Sequence, residues 1–231
     1  MRAKDIMTTN LVTVGPEATV ADVAKLLLDR HISGVPVVDA DQRILGILSE
    51  GDLLRRVEND TAARHSWWLA KLLSGRDKAA DYVKAHGRKV SEIMTRNVLT
   101  IGEDATLSEI AQVLEQNRIK RVPVVEAGKL VGIVSRANLV QAIASSDRQS
   151  RGSTSADDGK IREELTRELT KEAGLTKGQI NVIVENGKVQ MWGLVNTQGE
   201  KAAAQVAAEN VPGVTSIENH LALVPPYYGA E

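Results

Sequence analysis

Cysteine is absent from this 231-residue chain, phenylalanine is absent too, and aromatic residues make up only 3% of it. Without thiols there is no disulfide staple, no thiolate zinc site and no cysteine nucleophile. Charge of one sign is also missing. Lys+Arg 29 against Asp+Glu 30 leaves a formal net charge of -1, so no overall field draws the chain onto nucleic acid or an acidic membrane. No stretch approaches the roughly 20 apolar residues that cross a bilayer. The opening Met1-Arg2-Ala3-Lys4-Asp5-Ile6-Met7 has no apolar signal core, and the expectation is a soluble cytoplasmic protein. What is present suffices for a real core, since hydrophobic residues make up 42% of the chain. The length suits one large domain or two to three small ones.

The strongest positive feature is internal repetition. Asp5-Ile6-Met7-Thr8 returns as Glu92-Ile93-Met94-Thr95, and Thr13-Val14-Gly15 as Thr100-Ile101-Gly102. Val35-Pro36-Val37-Val38-Asp39 returns as Val122-Pro123-Val124-Val125-Glu126, and Gly46-Ile47-Leu48-Ser49 as Gly132-Ile133-Val134-Ser135. Thr19…Asp22 and Thr106…Glu109 read as capping boxes, in which hydroxyl and acid satisfy the donors at a helix start. Val20, Val23, Ala24 and Leu27 follow at helical spacing, as do Leu107, Ile110, Ala111 and Leu114. Two β-branched runs, Val35 to Val38 and Ile44 to Leu48, flank Ala40-Asp41-Gln42 and predict a hairpin. Ser49 and Ser135 then open a second helix. Each unit is therefore expected to run β-α-β-β-α.

With the Ile-Met-Thr opening, the Val-Pro-Val-Val strand and the Gly-x-x-Ser-x-x-Asp ending in register twice, the units resemble CBS domains in tandem. The resemblance covers residues 1–56 and 89–146 and implies an α/β (α+β) pair, packed about a pseudo-twofold axis with two clefts between the repeats. It also implies an adenine nucleotide (AMP, ADP, ATP or NAD) as ligand, with no required cofactor.

At the first candidate site, Ser49 and Asp52 begin a helix, where free N–H groups favour an anion, and a carboxylate can accept both hydroxyls of a ribose diol. The same Ser49-x-x-Asp52 spacing also fits a plain helix cap. The resemblance assigns the ribose to Asp52, the adenine to Val98 and Leu99, and the phosphates to Lys120 and Arg121. The second site would draw on Val12, Ser33, Gly34, Ser135, Arg136 and Asn138. It departs from the family pattern, because Asn138 offers one acceptor oxygen in place of a carboxylate, and Ser33 and Gly34 bring no charge where Lys120 and Arg121 stand.

Between the repeats, residues 57–88 read as a helical connector in which Trp67 and Trp68 are adjacent. Neighbours on a helix point about 100° apart, so either one covers the repeats while the other meets a partner subunit in a homodimer, or both cover the exposed edge of the CBS core. His65 and His86 have no ligand partners at metal-binding spacing, and no metal is expected.

Residues 147–157 read as a flexible linker, part of a polar stretch from Ser145 to Asp158. Beyond it, Ile161, Leu165 and Leu169 trace a helix face. Ile180, Val182 and Val184 alternate up to Asn186-Gly187, a type I′ hairpin signal. An alanine-rich helix from about Thr197 to Asn210 and a strand from Val214 to Leu223 follow. Gly193 in the returning strand is expected to admit a bulge or close helix packing. This α-β-β-α-β order, with Trp192-Gly193-Leu194-Val195 and Pro212-Gly213-Val214, resembles a BON domain over residues 158–224. The resemblance implies contact with a protein partner or a phospholipid surface, and the absence of a basic cluster favours protein over membrane.

No nucleophile elbow, metal cluster or phosphate-binding glycine loop is present, so the reading is a non-enzymatic sensor. Its rival is a structural adaptor, in which the pair only dimerises and the BON domain tethers a partner.

Overall fold

A computed structural model describes residues 1–54, 88–145, 156–173, 175 and 179–225. In chain order the elements are α1 (Ala3–Ile6), α2 (Val20–Asp29), β1 (Gly34–Val38), β2 (Ile44–Ser49), α3 (Val90–Ile93), β3 (Ile101–Gly102), α4 (Leu107–Gln116), β4 (Arg121–Glu126), β5 (Lys129–Ser135), α5 (Arg136–Ser145), α6 (Ala156–Arg167), β6 (Gln179–Glu185), β7 (Lys188–Val195), α7 (Gln198–Glu209) and β8 (Ser216–Leu223). A helical turn over 50–54 follows β2. The chain packs as two compact units. One comprises Val12–Leu99 and Ala127–Leu130; the other comprises Met1–Leu11, Thr100–Glu126 and Val131–Glu231.

In the unit built on Val12–Leu99, the Thr19 hydroxyl accepts the Asp22 amide at 3.1 Å and starts α2. That helix turns Val20, Val23 and Leu27 onto Val35, Val37 and Leu48 of the antiparallel β1–β2 hairpin. Gln42 takes a φ of 63° in the turn between the strands. The expected first strand is reduced here to one parallel bridge, Val14 to Val37. The rest of the core is supplied by Val90, Ile93 and Met94. Thr95 and Ile47 exchange both backbone hydrogen bonds, each 2.9 Å, and a Cβ at Gly46 would collide with Met94.

The other unit repeats this arrangement with the partners reversed. Ala3, Ile6 and Met7 pack with Ile110, Leu114, Val122, Val124, Val134 and Ala142. Thr8 bridges Ile133, and a Cβ at Gly132 would collide with Met7. Each Ile-Met-Thr segment therefore completes the hairpin of the other repeat. The short helices α1 and α3 were not expected. They exist because Asp5 and Glu92 reach back to the amides of Arg2 (2.6 Å) and Lys89 (3.0 Å), closing helices of only four residues.

Carboxylates at these helix starts are tuned by what they accept. Backbone N–H groups of Lys89 and Arg88 hold Glu92 below its ordinary value. The Thr106 amide and hydroxyl do the same for Glu109, and Lys4 does so for Asp104. A lowered folded-state value contributes stability above the unfolded value, about 4, and loses it as pH falls through the folded value. All three are exposed, so the contribution is modest. Carboxyl NMR titration should find all three midpoints below the free-residue values, and an ordinary midpoint for Glu109 would refute the cap geometry.

The C-terminal domain lies in the second unit. Ala156 and Asp157, which the sequence reading placed at the end of the linker, open α6; residues 146–155 lie outside the described residues. Ile161, Leu165 and Leu169 face Val182, Val184, Val189, Met191, Ala204, Ala208 and Leu221. β6 pairs antiparallel with β7, and β8 returns parallel to β7 after α7. Asn186 and Gly187 have φ values of 53° and 75°, as a type I′ turn requires. Gly193 sits in an unbroken register opposite Ile180. Its φ of 137°, and not a bulge, is what calls for glycine. Asp158 is 3% exposed and accepts the Asn186 amide at 3.0 Å and the Gly187 amide at 2.8 Å. It clamps the hairpin, where composition alone had placed it in a linker.

Candidate functional site

In each repeat the residue before the Val-Pro-Val-Val strand is tied to the start of the helix that follows the hairpin. Glu50 donates its amide to the Ser33 carbonyl at 3.2 Å, and Arg136 donates its own to the Lys120 carbonyl at 3.1 Å. The first unit thus gathers Ser33, Gly34, Ser49 and Asp52 at one sheet end, with Gly34 paired to Ser49 across the hairpin. Val98 is half-buried and Leu99 is 46% exposed; they follow Thr95, which is bonded to Ile47. Val12 is half-buried in the same unit. The second unit gathers Lys120, Arg121, Ser135, Arg136 and Asn138 at the corresponding end. Each set of expected site residues therefore draws on both units. Trp67, Trp68, His65 and His86 lie outside the described residues.

The helix starts are built alike and charged differently. Asp52 Oδ2 accepts from the Ser49 amide at 2.9 Å and the Ser49 hydroxyl at 2.7 Å. Asn138 Oδ1 accepts the same two bonds from Ser135, both at 2.7 Å, and Asn138 is 4% exposed. Capping engages the one side-chain acceptor oxygen that Asn138 has, whereas Asp52 is a carboxylate with two. The sequence assigned Arg136 to a separate cleft from Lys120 and Arg121. The structure puts all three cations at one sheet end, with Arg136 Nε also donating to the Ile119 carbonyl at 3.2 Å. The corresponding end of the first repeat carries Glu50 and Asp52 and no cation among Ser33, Gly34 and Ser49. Repeat alignment held the signal, since Ser33 and Glu50 stand opposite Lys120 and Arg136.

A cleft of about 900 Å³ occurs elsewhere, in the second unit, with Lys4, Asp5, Asp158 and Arg162 in its wall. None of the expected site residues lines it. Among the described residues no cluster of His, Cys, Asp or Glu could hold a metal, and no helix is long and apolar enough to cross a membrane.

Comparison with known proteins places these elements in families. Residues 3–59 and 90–145 match the CBS domain, and residues 157–225 match the BON domain. The CBS domain-containing protein CBSX2, chloroplastic, of Arabidopsis thaliana is 34% identical over 160 residues, 63% of either chain. This chain thus spans under two thirds of that relative's length. An uncharacterized protein of Methanocaldococcus jannaschii, MJ1426, is 32% identical over 154 residues, which are 62% of this chain and 91% of that protein. The crystal structure of CBSX2 in complex with AMP has 33% sequence identity to this chain, with a TM-score of 0.49, and covers 62% of this chain and 96% of its own. The matched segments, the doubled Ile-Met-Thr and Val-Pro-Val-Val motifs and the helix–hairpin–helix–strand order after residue 156 agree: this chain belongs to the CBS family, as a tandem pair joined to a C-terminal BON domain.

Proposed function

We propose that this chain is a non-enzymatic regulatory protein that binds an adenine nucleotide through its CBS pair and passes the signal to a protein partner through its BON domain. Asp52 receives the ribose hydroxyls, Val98 and Leu99 flank the adenine, and Lys120 and Arg121 meet the phosphates. The observation that carries this reading is the division of charge between two otherwise matching helix starts. A carboxylate at one helix start offers an acceptor to a diol, and three cations at the matching sheet end of the other repeat offer donors to a polyanion. In sequence, the relative CBSX2 is a protein that takes AMP.

The adaptor reading draws on the same geometry, because Asp52 already serves as a helix cap. Asparagine at the matching position of the second repeat supplies the experiment that separates the two. Asp52→Asn can keep both bonds to Ser49, as Asn138 does with Ser135, while removing the charge. Calorimetry with AMP, ADP, ATP and NAD should find binding to the unsubstituted chain. Asp52→Asn should weaken it about 10-fold or more, the loss of a charge-assisted bond of about 1.5–3 kcal/mol, with thermal stability retained. No binding at millimolar nucleotide by either protein selects the adaptor.

A further inference from the structure

The outer face of the BON sheet is not left to solvent. Cross-strand neighbours Asn181, Gln190 and Trp192 share that face with Ile183, and Asn181, Ile183 and Gln190 are 6%, 1% and 4% exposed. They meet the second CBS repeat within one compact unit. Asn181 Nδ2 donates to Gln141 Oε1 at 2.9 Å, and the Ser145 hydroxyl donates to Gln190 Oε1; Gln141 and Ser145 both lie on α5. At the edge of the seam, the half-buried Arg162 guanidinium donates to the Met7 carbonyl and, at 2.8 Å, to the Val182 carbonyl. It bridges α6, β6 and the segment after α1.

Three features set this seam apart from a permanent domain interface. The BON core and the second-repeat core have no residue in common. The Gln141–Asn181 and Ser145–Gln190 bonds join amides and a hydroxyl, and among the described residues Ile183 is its one aliphatic residue buried outside both cores. Among the described residues, two buried atoms in it, Asn181 Oδ1 and Trp192 Nε1, have no hydrogen-bond partner from the protein, although the two residues face each other across β6 and β7. A buried polar group without a partner costs free energy that solvent returns once the seam opens.

We propose that α5 and the BON sheet form a releasable latch, in which the second CBS repeat covers the sheet face of Asn181, Ile183 and Gln190 and uncovers it when the BON domain swings away. The helix that carries Gln141 and Ser145 begins beside Asn138 and Arg136, so one rigid element joins the cationic sheet end to the masked face. The latch is defined without nucleotide and stands or falls separately from the nucleotide reading.

Because the chain has no cysteine of its own, spin labels can be placed cleanly at two exposed positions, Glu115→Cys on α4 and Ala202→Cys on α7. Labelled chain diluted into unlabelled chain gives only intramolecular distances by pulsed electron resonance. The full chain should show a narrow docked distance. In a Gln141→Ala/Asn181→Ala background at least half of that population should move to a broad distribution, with circular dichroism unchanged. A Gln141→Leu/Asn181→Leu background, which removes the orphaned oxygen and adds apolar contact, should keep the docked peak. An unchanged docked peak in the alanine background, or no docked peak in the full chain, overturns the latch.

Discussion

Met7→Ala should destabilise the second CBS repeat, and Met94→Ala the first, each by about 2–5 kcal/mol. The crossing follows from the packing and runs against sequence order. Met7 is 6% exposed and sits in the core with Val122, Val124 and Val134, where Gly132 makes room for its side chain. Met94, also 6% exposed, sits with Val35, Val37 and Leu48 and is received by Gly46. Truncation removes apolar contact and leaves a cavity that the surrounding β-branched residues, held to few rotamers, cannot collapse to fill. Native-state hydrogen exchange reads the result residue by residue. Met7→Ala should lower protection first at the amides of Val122 and Val124, and Met94→Ala first at those of Val35 and Leu48. If each substitution instead loosened the hairpin of its own repeat, the exchange of segments would be wrong.

That crossing shows why part of this fold was legible and part was not. The two repeats were plain, because strands and helices of the same kind make the same demands twice. A Val-Pro-Val-Val run buries Val35 and Val37 in one copy and Val122 and Val124 in the other. Thr106 and Glu109 form a reciprocal capping box, Glu109 accepting both the amide and the hydroxyl of Thr106, while Asp22, one methylene shorter, accepts the Thr19 hydroxyl. Which hairpin each methionine completes could not be read. Both copies carry the same Ile-Met-Thr and the same glycine, so the pattern is satisfied equally by packing within a repeat or across to the other.

Polar residues in two places are buried by partners that the sequence pattern does not show, for one reason. Asn181 and Gln190 alternate with buried valines and look like the solvent face of a half-buried strand, yet α5 covers them. The Ser- and Asp-rich stretch before Ile161 has the composition of a linker, yet its Asp158 is buried. In both cases the partner that satisfies the polar group is distant in sequence, and periodicity carries no information about it. The sequence named candidate site residues but not their arrangement. Ser49, Asp52, Lys120 and Arg121 came from the motifs, but the grouping of Arg136 with the other two cations depends on a backbone bond from Arg136 to Lys120.

Asp158 leads to the other large expected effect. Its two oxygens take separate amides in the Asn186-Gly187 turn, Oδ2 from Asn186 and Oδ1 from Gly187. The turn has little freedom to find substitutes, since a Cβ on Gly187 would already lie 2.7 Å from the Gly213 carbonyl oxygen. Asp158→Ala therefore leaves the buried Gly187 N–H without this acceptor, at about 1–3 kcal/mol, and the part-buried Asn186 N–H likewise, at a smaller cost because solvent can reach it. It also removes a favourable charge from the first turn of α6. The BON domain should lose about 3 kcal/mol in all, while Asp158→Asn, which keeps one acceptor oxygen, should lose about half as much. Urea unfolding followed at the amide resonances of Val182, Val189 and Met191, which lie in the BON core, reads this domain apart from the CBS pair. A shift below about 0.5 kcal/mol for Asp158→Ala, the range of an ordinary surface substitution, would mean that the hairpin does not depend on the clamp.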